Sequence, residues 1–150
     1  MRRPPRPPAE PLLTRFLVWR IVLVSALLVA GGLGLFLWEC AQGASVEVAR
    51  TVAVNALVVG EIAYLFNCRR LTASGLGRAT LVGNPYIWLT IGILAVFQLL
   101  FTYLPVMAML FGTAGLDAAA WGRILGFGLV LFLSMELEKF LIQRHQARRM

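Results

Sequence analysis

Apolar positions in this chain come in long unbroken blocks, not in the alternating pattern of a half-buried strand or the striped pattern of a soluble helix. Four blocks approach the roughly 20 residues that a helix needs to cross a bilayer, at about 16–37, 51–67, 86–105 and 121–141. Polar and helix-breaking residues collect between them. The opening MRRPPRPPAEPLL is too rich in proline to begin a helix before about Leu12, so residues 1–13 read as an extended connector lying on the membrane surface. The stretch LTASGLGRATLVGNP has turn composition, and Pro85 suits a first helical turn. The segment of about residues 106–120, VMAMLFGTAGLDAAA, reads as a loop apolar enough to lie against the membrane or other helices. Residues 142–150 form a basic tail. The pattern therefore predicts an all-α membrane protein, a single membrane domain of four transmembrane helices.

Composition supports this reading. Of the 150 residues 59% are hydrophobic and 14% charged, against about 45–50% and about 25% in soluble domains. The first block is longer than the roughly 7–15 apolar residues of a secretory signal core, and LWECAQG is a poor cleavage site, so it counts as a span. Arg2-Arg3 lacks the rest of a twin-arginine signal.

The net charge of +7 raises nucleic acid as a partner, and the placement of the basic residues excludes it. Arg2, Arg3, Arg6, Arg15 and Arg20 lie at the start of the first span, Arg69, Arg70 and Arg78 between the second and third, and Lys139, Arg144, Arg148 and Arg149 at the end of the fourth. These are 12 of the 14 basic residues, and Arg50 and Arg123 alone fall on the other side. The positive-inside rule then predicts both termini cytoplasmic. No basic patch is interleaved with aromatics as a nucleic-acid surface requires. Trp19, Trp38, Trp88 and Trp121 all fall at predicted span ends, where an amphipathic ring prefers the headgroup region. Cys40 and Cys68 sit at opposite ends of the second span, about 28 Å apart by helix rise, too far for a disulfide within one chain.

Chemistry is sparse. There is no phosphate-binding glycine loop, nucleophile elbow or Cys/His cluster. His145 lies beyond the last span and reads as a solvated tail residue. The exception is Glu61, inside VVGEIAYLFN, since a carboxylate near the bilayer centre costs roughly 2.5–3.5 kcal/mol even on lenient insertion scales and is kept for pathways, relays or ion sites. Asn55 before it and Tyr64 and Asn67 after it suggest a row of polar groups on one protein-facing or ion-facing side. Glu136 and Glu138 lie beside Lys139 near the interface and read as parts of a structural ion pair. Ala26, Ala30 and Gly34, and Gly122 with Gly126, are spaced as close-approach rows between helices.

Several stretches taken together resemble a known family: MRRPPRPPAEPLL with a Trp-Arg helix start, ARTVAVNALVVGEIAYLFNCR, NPYIWLTIGILAVFQLLFTYLP, and SMELEKFLIQR. Their order and spacing are similar to the seventh to tenth membrane helices of P-type cation-transporting ATPases of the calcium-pump-like and sodium/potassium-pump-like branch. The resemblance implies that Glu61 matches an acidic cation ligand on the eighth helix, with Asn55 and Tyr64 as possible neighbours. It also implies that Gly34 lies where the long fifth helix packs, and that the opening Pro-Arg segment touches the phosphorylation domain. These pumps form an aspartyl phosphate on an Asp-Lys-Thr-Gly-Thr motif, which this chain lacks. One carboxylate cannot satisfy a hard cation that takes six or more oxygens.

The expected function is thus that of a non-catalytic C-terminal membrane segment of a cation pump, a truncated product, a split-gene partner or a cut piece. It would have no cofactor of its own and would share one monovalent or divalent cation with the complete pump. Its partners would be the remaining helices, the cytoplasmic domains and the bilayer, with no nucleic acid, in a bacterial plasma membrane. Two alternatives stand beside it: a stand-alone four-helix transporter of the small multidrug-resistance type, whose intramembrane Glu lies in the first span instead, and an inactive remnant.

Overall fold

The computed structural model describes residues 15–68 and 85–147. Five helices account for them: α1 (Arg15–Ala41), α2 (Val46–Cys68), α3 (Pro85–Tyr103), α4 (Pro105–Phe111) and α5 (Ala118–Ala147). No strand occurs among the described residues. The connector 1–13 and the turn with Arg69, Arg70 and Arg78 lie outside them. Helix α5 continues to Ala147, into the segment expected as the basic tail.

Local chemistry sets the helix ends. Gly43, with φ 81°, turns the chain after α1. The Ser45 hydroxyl accepts from the Val48 N–H at 3.4 Å, and the Ser45 carbonyl accepts from Ala49 N at 3.0 Å, opening α2 with a serine at the N-cap. Asp117 does the same for α5, its Oδ1 accepting from Ala120 N at 2.7 Å.

Three helices, α1, α2 and α5, are each long and apolar enough to cross a membrane. The third predicted span differs from expectation: Trp88–Tyr103 meets that test only jointly with Pro105–Phe111, from which it is bent by 73°. The cause is Pro105, which forces Leu104 into an extended conformation (φ −76°, ψ 126°) and restarts the helix at its own first position. What read as a loop from residue 106 therefore opens with a helix, ended by Gly112 in the left-handed region at φ 62°. The described residues are all helical or connecting turns, with three helices able to span a membrane, or four if the bent pair is one.

Packing centres on α2, which lies between α1 and α5, while α3 touches it more lightly. One core cluster joins Val52 and Ala56 of α2 to Leu116, Ala120 and Ile124; a second joins Val24 of α1 to Leu131 and Met135 of α5. Close approach relies on glycines other than those expected. A Cβ on Gly31 would stand 1.9 Å from the Phe127 ring, one on Gly60 2.6 Å from Leu28, and one on Gly128 2.6 Å from Val59. Gly34, Gly122 and Gly126 would meet nothing within 4 Å, and Ala26 and Ala30 are exposed. Those rows thus lie on the outward faces, because the inward phase of α1 runs through Gly31 and Gly32. Outward, the helices show large apolar groups such as Val22, Val29, Leu33, Leu129 and Leu133, as a lipid-facing bundle does.

Candidate functional site

Two sets of polar groups lie within the spans. At one end of the bundle Arg20, the sixth residue of α1, is fully buried. Its guanidinium donates to Oδ1 of Asn67 near the end of α2, and its Nε stands 3.9 Å from Oε2 of Glu138. The Asn67 amide donates to Glu136 Oε1 at 2.8 Å. Lys139 Nζ donates to the Asn67 carbonyl and to Glu136 Oε1, both at 2.9 Å. The expected ion pair of Glu136 with Lys139 is thus present. Glu138 turns instead toward Arg20. Each buried charge acquires an opposite charge or a dipole, which is the condition for keeping it in a medium of low polarity.

The opposite end repeats the device. Arg123 of α5 meets Glu39 of α1 through Nη2 at 2.6 Å and Nε at 2.8 Å. Asn55 donates to Thr102 Oγ1 at 3.0 Å and to the Thr51 carbonyl at 2.8 Å, joining α2 to α3. Thr51 Oγ1 accepts from Ala114 N at 3.0 Å, and Trp121 Nε1 donates to the Tyr103 hydroxyl at 2.8 Å.

Glu61 stands apart. It lies mid-helix in α2 and is exposed, and its side chain makes no ion pair or hydrogen bond with the described residues. The expected polar row does not form. Asn55 is six residues away, about 240° around the helix, and is committed to α3. Asn67 is likewise committed to Arg20 and Glu136, and Tyr64 is half-buried against the Val24–Leu131–Met135 cluster. The structure therefore turns Glu61 away from Asn55, while Tyr64, three residues on, remains its neighbour along the helix without a hydrogen bond to it. No group of three or more His, Cys, Asp or Glu side chains able to hold a metal exists among the described residues.

Sequence reasoning placed Arg20 among the flanking basic residues and missed its burial. The available signal was an arginine inside an apolar run, which requires a partner by the same argument that singled out Glu61.

The family model described as "Cation transporting ATPase, C-terminus" matches residues 1–141. The chain belongs to this cation-transporting ATPase family. It is 49% identical over 124 residues to "Probable cation-transporting ATPase F" of Mycobacterium tuberculosis, covering 83% of this chain and 14% of that protein. The "Cation-transporting ATPase pma1" of Synechocystis is 36% identical over 126 residues, 81% of this chain and 14% of that protein. The mouse "Calcium-transporting ATPase type 2C member 2" is 28% identical over 146 residues, 94% of this chain and 15% of that protein. The chain thus spans about one seventh of the length of these curated relatives. With its apolar helices, membership of the cation-transporting ATPase family makes it an integral membrane protein.

Proposed function

We propose that this chain is the C-terminal membrane unit of a cation-transporting ATPase, packing against the pump's remaining helices and lending Glu61 as one oxygen ligand to the transported cation. The observation that carries the proposal is the contrast within α2: Asn55 and Asn67 are satisfied inside the bundle, while Glu61 points out of it unpartnered. Left against lipid it would cost roughly 2.5–3.5 kcal/mol, so a further surface must cover it. The outward row of Ala26, Ala30 and Gly34 supplies the small side chains such a surface needs.

A hard cation takes six or more oxygens, and one carboxylate supplies at most two. The other ligands come from helices absent from this chain, together with the phosphorylation and nucleotide domains. This unit performs no phosphoryl transfer and needs no cofactor besides the shared monovalent or divalent cation. The mycobacterial likeness favours a bacterial plasma membrane. The distribution of basic residues favours cytoplasmic termini, with α3 making the third crossing. A periplasmic reporter signal from a fusion at Ser74 would sink that topology.

The ligand role is tested by Glu61→Gln in the assembled pump, reading cation-dependent phosphorylation against cation concentration. Loss of a full ligand shifts the titration by about tenfold or more, equivalent to about 1.4 kcal/mol. An unchanged titration would make Glu61 a structural acid.

A further inference from the structure

Helix α4 is apolar throughout, yet none of its residues is buried. Met109 is 86% exposed and Leu110 66%, with Val106 and Phe111 also open. We propose that α4 is a half-helix embedded in the outer leaflet, with the acyl-chain and glycerol region of the bilayer as its partner and no protein cover. This goes beyond the pump reading and does not depend on Glu61.

Geometry places α4 at the right depth. The 19 residues of α3 rise about 28 Å, close to the roughly 30 Å of bilayer hydrocarbon, so α4 begins where the acyl chains end. A bend of 73° from a span tilted about 20° lays it near the membrane plane. Met107 and Phe111 of α4 share an open, largely apolar hollow with Phe97, Leu100 and Phe101 of α3. Composition separates lipid from protein cover. Surfaces that receive helices carry small residues, as Ala26, Ala30 and Gly34 do on α1, whereas α4 offers long flexible Met and Leu and an aromatic ring.

The polar backbone at the end of this half-helix is also provided for. The Phe111 carbonyl accepts from Arg50 Nη1 at 3.3 Å, so a cation stands at the negative end of the α4 dipole. The Gly112 N–H bonds the Ala108 carbonyl at 3.0 Å. Irregular backbone at membrane depth persists only where such groups are satisfied by protein. Arg50 and Thr51 thus hold the segment from both sides of Gly112, and they fix which way the apolar face looks.

The test uses spin labels in the full chain, with Cys40 and Cys68 replaced by Ser, reconstituted in phosphatidylcholine vesicles. Labels at Met109→Cys, at Val96→Cys on α3 and at Gly115→Cys in the following loop are compared for relaxation by oxygen and by a water-soluble nickel chelate. The expected result is that position 109 matches position 96, open to oxygen and shielded several-fold from the chelate relative to position 115. Chelate access at position 109 equal to that at 115 would overturn the proposal in favour of a solvated loop. Shielding from both reagents would overturn it in favour of protein cover, including a second copy of this chain.

Discussion

The two ionisable regions borne by α2 are treated in opposite ways. At its Asn67 end, Arg20, Glu136, Glu138 and Lys139 gather from α1 and α5 around a single amide and its carbonyl. Six residues earlier, Glu61 has no partner among the described residues. A bundle able to pair four charges at one end is not short of means to bury a carboxylate. The difference teaches that charges on the inward seam of the bundle are matched within it, while the face that carries Glu61 offers that carboxylate no partner among the described residues.

The largest effect that would break this comparison comes from Arg20. Replacing it by Leu leaves the largely buried Glu138 without its guanidinium and removes the donor to Asn67, and breaking a buried pair by removing one partner costs about 3–5 kcal/mol. Glu61→Leu in the isolated chain should cost no stability, because the side chain is exposed and unpaired. Unfolding of both variants by denaturing detergent from bicelles reads the contrast directly. Equal losses would show that Glu61 is as integrated as the cluster.

A smaller effect separates the two glycine sets. Gly31→Ala drives a methyl into the Phe127 ring, and overpacking of this kind costs about 1–3 kcal/mol. Gly34→Ala meets open space and should lie within about 0.5 kcal/mol of the parent in the isolated chain. In an assembled pump the order should reverse for Gly34, with weakened association of the unit by co-purification. If Gly34→Ala leaves assembly intact, the outward small-residue row is not a docking face.

Much of this was legible in the one-dimensional pattern. The apolar blocks that form α1, α2 and α5 and the Glu136–Lys139 pair followed from transfer energies and helical spacing, because the bilayer imposes length and polarity on any chain that crosses it. The phase of close contact was not legible. Gly31 and Gly34 have the same composition signal, and only packing decides that Gly31 meets Phe127. The break at Pro105 had a local cause in sequence, yet an apolar stretch following a proline does not reveal whether it coils or restarts a helix. Glu61 was found because its cost is large wherever it points. Asn55 turns to another side of the helix because a cheaper polar group can be satisfied by any neighbouring helix, here Thr102 of α3.

The burial of Arg20 also sets an order in time. Asn67, which accepts from its guanidinium, is 47 residues further along the chain. At synthesis rates of roughly 5–20 residues per second, α1 waits some seconds for that amide, and about two and a half times as long for Glu138. During that interval the arginine must find water, which it can do because it lies a turn and a half from the start of α1 and its aliphatic stem can reach back to the interface. The same arginine placed at Val29 would have no such refuge, so the position of Arg20 along α1 is as much a requirement of biogenesis as of the finished bundle.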